Sequence, residues 1–440
     1  MHGGPITLAI LGAGNRGRHT YARYALDHPD EARIVAVADP DAGRREALAA
    51  EHGATAHASW RALLAGPAPD LVVVATPDRE HVAPTLAALE RSLDVLLEKP
   101  IAPTEPEVRA VLAAAERSTG SVTIAHVLRY TPFFGTLKRL LDEGRIGQLV
   151  TVHHAENIGW WHFAHSFVRG NWRREDLAAP MLLAKACHDL DILRWLAGAP
   201  CERVASFGGL THFRIEQAPP GSVDRCTDGC PVAAECPFEA VRFYVDRTAD
   251  TDGWPVSVIT DDPTPAGRLG ALQTGPYGRC VYRCDNDVAD HQVATLEFAN
   301  GVRATLAVNA LTADNTRSIK LVGTRGEIRG RLDTGEIELR SFFPAGPLPP
   351  DGPWDVDERG RGALRGDERE LITAAPPAQD GHGGGDAAML RDLLTRVRAR
   401  RDGRTAPTTP ALTDLATSAE SHLMAFAAER SRHERRMVDL

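Results

Sequence analysis

The feature that most constrains the fold is a glycine-rich turn placed directly after the first apolar run. Gly12, Gly14 and Gly17 follow the strand-like stretch at residues 6–11 and open a helical pattern at residues 16–27. In this context the first glycine permits a tight turn, the second lets the backbone approach a pyrophosphate, and the third lets the helix pack on the strand. The order of strand, turn and helix predicts that phosphates bind at the helix N-terminus.

The same alternation of elements continues over the first 125 residues. Further strand-like runs occupy residues 33–39, 70–75, 94–97 and 122–125, and helical patterns occupy residues 42–51, 79–91 and 104–118. Strands that alternate with helices predict a parallel sheet with helices on both faces. Asp39 closes the second run, where a carboxylate accepts hydrogen bonds from both ribose hydroxyls and repels a 2′-phosphate. This favours NAD over NADP, although the neighbouring Arg44 and Arg45 weaken the preference.

After about residue 147 the pattern changes from alternating elements to successive strands. Strand-like runs follow one another at residues 149–153, 293–298, 302–308, 319–322 and 327–332, and a helical pattern at residues 181–196 interrupts them. These runs predict an α+β domain with an open, mostly antiparallel sheet. We therefore expect an α/β nucleotide-binding domain at 1–126, an α+β substrate domain at 127–380 with a cysteine-rich insertion at about 217–290, and closing helices at 381–440.

Two further motifs lie at the ends of neighbouring strands. Thr76-Pro77-Asp78-Arg79-Glu80-His81 follows the third strand, and Glu98-Lys99-Pro100 follows the next. With the glycine turn, they resemble the Gfo/Idh/MocA oxidoreductases, the relatives of glucose-fructose oxidoreductase and inositol dehydrogenase. Residues 127–130, 147–150 and 322–330 are also similar to that family, so the resemblance covers most of the chain.

The resemblance implies a Rossmann domain that binds NAD, a carbohydrate or cyclitol substrate, and a homodimer or homotetramer formed through the second domain. Together with the glycine turn and the acidic strand end, it gives the expected cofactor-binding residues: Gly12, Gly14, Asn15, Arg16, Gly17, Asp39, Thr76, Pro77, His81, Glu98 and Lys99.

Lys99 is the strongest catalytic candidate. Only four of the 50 basic residues are lysines, and lysine gives up its proton far more readily than arginine. Lys99 sits at the carboxyl end of a parallel strand, where open α/β sheets bind ligands, and Pro100 fixes the backbone that follows. Near a nicotinamide cation, a partly desolvated lysine is suited to exchange a proton with a substrate hydroxyl. The alternative is a surface lysine paired with Glu98.

A second catalytic group is predicted in the helical stretch of the second domain. Lys185, His188 and Asp189 share one face by helical spacing. The family usually carries an aspartate four residues before this histidine, but Ala184 stands there, while His188 and Asp191 match the family pattern. Either Lys185 replaces the aspartate as the partner of the hydroxyl, or it binds an anionic group of the substrate. The structural alternative is a Lys185–Asp189 pair on an exposed helix.

Several aromatic and polar residues are candidates for binding a sugar. Aromatic faces stack on the apolar side of sugar rings while histidine and arginine bind hydroxyls, although core packing is the common alternative for such residues. The expected substrate-binding residues are His126, Arg129, Tyr130, Trp161, His162, Trp172 and Asp191.

Five of the seven cysteines fall into two short clusters of the predicted insertion. These are Cys226, Cys230 and Cys236, followed by Cys280 and Cys284. Zn²⁺ takes four thiolate or imidazole ligands in a tetrahedron, so the clusters predict a structural zinc. Five cysteines for four coordination positions leave one thiol spare. An iron–sulfur cluster or a disulfide is therefore an alternative to zinc.

The charge balance narrows the classes of partner. With 59 acidic and 50 scattered basic residues the formal net charge is −9. This argues against a nucleic-acid or membrane-surface protein, because both need a concentrated basic face. The first apolar run is too short for a signal peptide, and no stretch is long enough to span a membrane. We therefore expect a cytoplasmic protein.

Together these features predict an NAD-dependent oxidoreductase that acts on a ring carbinol of a sugar, glycoside or cyclitol. Lys99 and His188 would handle the hydroxyl proton, with Lys185 assisting, while the cofactor supplies the redox chemistry. An alternative is a glycosidase that uses NAD transiently, through ring oxidation, elimination, water addition and re-reduction. A redox-inert NAD-binding sensor is disfavoured because Lys99 and His188 are both present.

Overall fold

A computed structural model describes residues 4–342, 354–356, 362–364, 368–374 and 383–440. The predicted boundary at residues 380 and 381 lies outside these ranges. Within them the chain forms two sheets of six and nine strands and a two-stranded ribbon.

The first domain is the predicted parallel sheet with helices on both faces. Its strands are β1 (Ile6–Leu11), β2 (Ala32–Ala38), β3 (Thr55–His57), β4 (Leu71–Val74), β5 (Asp94–Leu97) and β6 (Val122–Ile124), in the spatial order β3-β2-β1-β4-β5-β6. Its helices are α1 (Arg23–Asp27), α2 (Ala42–His52), α3 (Trp60–Leu64), α4 (Val82–Glu90) and α5 (Glu105–Arg117), and a π-helical segment, Arg16–Ala22, leads into α1. Every residue of β4 is buried, as expected for a strand covered on both faces.

The second domain is built on the predicted mixed sheet. The elements up to the insertion are α6 (Pro132–Asp142), β7 (Leu149–Gly159), α7 (Trp160–Phe163), α8 (Met181–Ala184), α9 (Cys187–Ala197) and β8 (Cys201–Gly209). The insertion contributes α10 (Val256–Ile259) and α11 (Pro265–Thr274), and then come β9 (His291–Phe298), β10 (Arg303–Thr312), β11 (Thr316–Gly323), β12 (Gly326–Arg331) and β13 (Glu336–Ser341).

The chain closes with short strands and two long helices. These are β14 (Trp354–Val356), β15 (Gly362–Leu364), β16 (Glu368–Thr373), α12 (Gly385–Arg401), α13 (Leu415–Glu434) and β17 (Val438–Asp439). The nine-stranded order is β16-β13-β12-β11-β7-β10-β9-β8-β17, and only the β7–β10 pair is parallel. The class predicted from the sequence, a Rossmann domain followed by an α+β domain with a mostly antiparallel sheet, is confirmed.

Two elements near the candidate site differ from the predicted ones. The helix expected at residues 181–196 is broken, because α8 ends at Ala184 and α9 begins at Cys187. The strand expected to end at residue 153 continues to Gly159 as β7. The apolar pattern ends at residue 153 because His154 and Glu156 are polar. In the structure both side chains point inward and are buried.

The closing helices join the two domains. Met389, Leu393 and Val397 of α12 pack into the core of the parallel sheet, and Met424 and Ala428 of α13 pack into the core of the second domain. Among the described residues, every helix is too short or too polar to span a lipid bilayer.

Candidate functional site

The glycine turn is tightly packed at two of its three glycines and open at the third. Gly12 adopts a φ of +97°, and a Cβ there would lie 2.4 Å from the carbonyl oxygen of Ala75. A Cβ at Gly17 would lie 1.9 Å from the carbonyl oxygen of Gly12, so the close packing of helix on strand needs a glycine. A Cβ at Gly14 would meet no atom of the described residues within 4 Å. The chain itself thus demands Gly12 and Gly17, while Gly14 faces the open side where a phosphate would approach.

Asp39 fixes the edge of this turn. One carboxylate oxygen accepts a 2.8 Å hydrogen bond from the amide of Ala13, and the other accepts one of 2.8 Å from the amide of Asp41. Arg45 donates to the carbonyl oxygens of Asp39 and Pro40 instead of extending over the carboxylate. These residues fit the ribose end of a dinucleotide, since both carboxylate oxygens keep acceptor capacity.

A buried ionic network connects the turn to the Glu-Lys-Pro motif. The Arg16 guanidinium is paired with Glu98, and it lies 2.6 Å from the Asp386 carboxylate at the start of α12. The Tyr21 hydroxyl donates to the same Glu98 oxygen at 2.5 Å. Burial raises the pKa of Glu98, but Arg16 and Tyr21 outweigh that effect and hold it below its usual value. The Arg16 side chain therefore holds three chain segments together, while the predicted neighbour Asn15 is exposed beside the turn.

The backbone around Lys99 is held by two buried histidines. His81 has Nδ1 2.6 Å from the Pro100 carbonyl oxygen and Nε2 2.9 Å from the Thr76 carbonyl oxygen. His422 of α13 accepts a 2.8 Å hydrogen bond from the amide of Ile101. His81 thus connects the loops after β4 and β5, and His422 holds the turn that follows Lys99. Contact of His81, Thr76 or the exposed Pro77 with a cofactor stays a prediction.

The Lys99 side chain crosses from the first domain to the second. Its Nζ donates a 3.1 Å hydrogen bond to the carbonyl oxygen of Ala184 and lies 5.7 Å from the ring centroid of Trp172. The Trp172 indole in turn donates a 2.9 Å hydrogen bond to Asp78 in the loop after β4. The structural alternative, in which Lys99 pairs with Glu98 on the surface, therefore does not describe this side chain. Two candidates from separate domains, Lys99 and Trp172, therefore lie together where the two domains meet.

Lys185 belongs to a cluster that the sequence did not reveal, here called the Lys185 cluster. Its members are Lys185, Glu156, Arg317, Asp189 and His154. The Lys185 Nζ lies 3.3 Å from Glu156 Oε1, and Arg317 Nε lies 2.9 Å from Glu156 Oε2 and 2.7 Å from Asp189 Oδ1. His154 Nε2 lies 2.7 Å from the same Asp189 oxygen. The suggested Lys185–Asp189 pair on an exposed helix is thus wrong, because Asp189 is fully buried and Lys185 pairs with Glu156.

The environment of the cluster tunes its proton affinities. Burial lowers the pKa of Lys185, and Arg317 and Lys99 add to that effect while Glu156 opposes it. The pKa of Asp189 is lowered, because Arg317 and His154 outweigh the effect of burial. Two cations and two carboxylates make the cluster formally balanced when His154 is neutral. A lysine with a lowered pKa beside a buried carboxylate is suited to proton exchange.

His188 and Asp191 lie on the buried side of α9. The rings of His188 and His126 are 5.7 Å apart, and His126 Nδ1 lies 3.0 Å from Asp191 Oδ1. Arg129 donates to both Asp191 oxygens, at 2.7 and 2.5 Å, and to the Leu412 carbonyl oxygen. Arg129 and Asp191 thus form a bidentate ion pair at the domain junction. Their contact with a substrate stays a prediction.

The remaining predicted substrate residues separate into two places. Tyr130 donates a 2.9 Å hydrogen bond to Asp392 of α12 and so faces the closing helix. The Trp161 ring lies 5.4 Å from that of Trp254, a residue of the insertion. His162 lies 2.9 Å from Asn315, and burial followed by the nearby Lys185 lowers its pKa well below the usual value. His162 therefore joins the side of the cleft that holds Lys185, whereas Tyr130 does not.

All seven cysteines, each in the described part of the chain, are free. Cys226, Cys230, Cys236 and Cys280 line one small cavity of the insertion, together with Arg169. Among the described residues no three of the sulfur atoms lie within 4.8 Å of one another. The cysteines are gathered as predicted, but their zinc stays a prediction.

Four residues of the site were not predicted from the sequence: Glu156, His154, Arg317 and His422. A signal for the first two existed, because they occupy alternate inward positions of β7, between Val152 and Ile158. Arg317 stands directly opposite Glu156 in the antiparallel β7–β11 pair, which only the strand register reveals.

Comparisons with known proteins agree with the fold of both domains. Residues 6–126 match a family described as "Oxidoreductase family, NAD-binding Rossmann fold", and residues 138–407 match "Oxidoreductase family, C-terminal alpha/beta domain". The chain is 27% identical over 330 residues to a Bacillus subtilis protein named as oxidoreductase YteT, covering 74% of this chain and 72% of that protein.

It is also 32% identical over 204 residues to inositol 2-dehydrogenase 1 of Saccharopolyspora erythraea, covering 45% of this chain and 56% of that protein. This match spans little more than half of the relative's length. A solved structure of levoglucosan dehydrogenase, in complex with NADH and levoglucosan, has a similar fold, with a TM-score of 0.66, 17% identity and coverage of 99% of both chains.

Proposed function

Because the chain belongs to the Gfo/Idh/MocA oxidoreductase family, which its two domain matches show, we propose that it is an NAD-dependent dehydrogenase of a sugar, glycoside or cyclitol. The observation that carries the proposal is the position of Lys99, whose Nζ reaches the Ala184 carbonyl oxygen of the other domain. Ala184 is followed at once by Lys185 and, four residues on, by His188. This contact supports a site for the proposed proton-handling groups at the junction of the two domains.

The cofactor, when bound, accepts or supplies the hydride at its nicotinamide ring. The chain orients it through the glycine turn at the diphosphate and Asp39 at the ribose, which favours NAD over NADP. Lys99 Nζ would exchange a proton with the hydroxyl of the reacting carbinol, with His188 as its partner. The Trp172 ring lies 5.7 Å from Lys99 Nζ and borders the lysine on one side.

Lys185 is proposed as the hydroxyl partner that replaces the missing aspartate. The charges of the Lys185 cluster support this role over binding of an anionic substrate group, because Glu156 already compensates Lys185 and Asp189 compensates Arg317. Glu156 would hold Lys185 in place and take part in its proton exchange. The substrate is accordingly proposed to be a neutral polyol ring.

A panel of cyclitols, free sugars and glycosides, incubated with NAD or NADP, tests the proposal through NADH absorbance and product analysis. We expect NAD-dependent turnover of at least one ring substrate and a loss of about 10²-fold or more in kcat for Lys99→Met. Lys138→Met is the matched control, since Lys138 pairs with Asp142 on the surface of α6. Activity of Lys99→Met equal to that of the control would refute the proposal. Glycoside cleavage without net NADH would favour the glycosidase alternative instead.

The oligomer is proposed to form through the open face of the nine-stranded sheet. Phe207, Val293 and Leu371 are large apolar side chains that this sheet leaves exposed. An exposed apolar sheet face is stabilised when it pairs with another face. Light scattering of the wild type and of Val293→Lys tests this, because the substitution would shift a dimer or tetramer toward the monomer.

A further inference from the structure

We propose that the cysteine-rich insertion holds a single structural Zn²⁺ through four thiolates, those of Cys226, Cys230, Cys236 and Cys280. These four side chains line one cavity. Cys284 does not line it, and its thiol donates to the Cys280 carbonyl oxygen at 3.3 Å. We therefore assign these four as the ligands and Cys284 as the spare.

The two cysteine segments are held side by side by the backbone. The amide of Cys226 donates a 2.9 Å hydrogen bond to the Gly278 carbonyl oxygen, and the amide of Cys280 donates one of 2.8 Å to the Asp224 carbonyl oxygen. An isolated antiparallel bridge between Arg225 and Arg279 lies between these bonds. Cysteines more than forty residues apart therefore approach the cavity from adjacent strands of chain.

The cavity is also lined by a buried cation, the Arg169 guanidinium, which a nearby negative charge would stabilise. Arg169 is 2% exposed and donates to the carbonyl oxygens of Arg279 and Phe238 and, at 3.7 Å, to the sulfur of Cys226. Its hydrogen-bond acceptors among the described residues are two carbonyl oxygens and one sulfur, none of them a carboxylate, although most buried charges are paired. Four neutral thiols do not compensate this charge. Four thiolates around Zn²⁺ carry a net charge of −2, so metal binding would supply the missing anion.

The cavity between the cysteines has room for a small guest. Its volume is about 20 Å³, enough for one water-sized guest such as a metal ion. Cysteine thiolates also hold iron–sulfur clusters, so metal analysis distinguishes the two.

The sulfurs must close in when the ion binds. A tetrahedron with Zn–S bonds of about 2.3 Å has sulfurs about 3.8 Å apart, whereas no three of the described sulfurs lie within 4.8 Å of one another. Apart from the bridge residue Arg225, residues 223–238 form turns and loops, and the proposal requires this segment to adjust. Binding would release four thiol protons to solvent and stabilise a segment that has little regular structure.

The site also connects to the cleft. Arg169 ends the π-helical segment Ala164–Arg169, which directly follows α7 with Trp161 and His162. The proposed ion would thus order the insertion against the aromatic wall of the cleft. It stands apart from the cofactor site, so its test does not depend on the dehydrogenase activity.

Elemental analysis and native mass spectrometry of the full chain, purified from medium with zinc and without chelator, test the proposal. We expect about one zinc per chain in the wild type, and also in Cys284→Ser and Cys201→Ser. Cys226→Ser and Cys236→Ser should lose the metal. In case these variants do not fold, wild-type protein stripped by a chelator and loaded with Co²⁺ should show the intense visible bands of tetrahedral cobalt thiolate.

Three results would overturn the proposal. One is zinc-free wild-type protein whose cobalt spectrum lacks those bands. Another is loss of zinc from Cys284→Ser equal to that from Cys226→Ser. The third is iron and acid-labile sulfide in place of zinc, which would identify an iron–sulfur cluster.

Discussion

The pair formed by Arg129 and Asp191 allows a quantitative test of the domain junction. The guanidinium donates to both carboxylate oxygens, at 2.7 and 2.5 Å, and both side chains are almost fully buried. Burial alone would raise the pKa of Asp191, but Arg129 and His126 outweigh it and hold the pKa at about 2, against a usual 3.8. This difference corresponds to about 2 kcal/mol in favour of the charged carboxylate.

Asp191→Asn removes the negative charge and leaves Arg129 buried without compensation. We expect the free energy of unfolding to fall by about 3–5 kcal/mol, since removing one partner of a buried pair also incurs the desolvation cost of the other. Asp27→Asn is the control, because it breaks the exposed Arg23–Asp27 pair of α1 and should change stability by less than about 1 kcal/mol.

A double-mutant cycle separates this account from simple loss of packing. Arg129→Met and Asp191→Leu should each destabilise the protein, whereas the double variant should recover much of the loss because no unpaired charge remains. Urea and thermal unfolding followed by circular dichroism measure these differences. The reasoning is refuted if Asp191→Asn costs less than about 1 kcal/mol, or if the double variant loses the sum of the two single losses.

Three further predictions concern the cleft, the glycine turn and the acid response. Lys185→Met should lower kcat by about 10²-fold or more with little change in KM, and Glu156→Gln should shift the pH profile of kcat; a rise in KM alone for Lys185→Met would indicate binding of a substrate anion instead. Gly17→Ala should lower the melting temperature, because the added Cβ clashes with backbone atoms. Gly14→Ala should fold normally and weaken NAD binding measured by calorimetry. Equal melting temperatures for the two variants would contradict this. Burial, with smaller contributions from neighbouring charges, lowers the pKa of His422 from 6.5 to about 3; its contribution to stability is therefore complete above pH 6.5 and falls by up to about 1.4 kcal/mol per pH unit toward pH 3. Between pH 6.5 and pH 3, the free energy of unfolding should change less steeply with pH for His422→Gln than for the wild type. An equal pH dependence of the two proteins would disprove the assignment.

The sequence predicted the first domain well because its signals are local. The glycine turn, the apolar strands and the acid at the end of β2 lie close together along the chain, and the parallel sheet follows from their order. The expected strand at residues 6–11 coincides with β1.

The candidate site was harder to predict because its charges are satisfied by distant parts of the chain. Arg317 pairs with Glu156 across the β7–β11 register, and His422 reaches a turn 321 residues earlier. The helix break after Ala184 also has no proline or glycine to mark it. A pattern of inward-facing polar residues on β7 was present, but periodicity alone does not tell which partner each residue finds.

The most direct test of the central claim is to follow hydrogen from the substrate carbon to the cofactor. The best ring substrate from the panel, deuterated at its carbinol carbons, is incubated with NAD and the wild-type chain, and the NADH is analysed by mass spectrometry. The account predicts one deuterium per NADH, a slower reaction than with the unlabelled substrate, and almost no NADH from Lys99→Met. NADH without deuterium, or equal turnover by Lys99→Met and Lys138→Met, would contradict it.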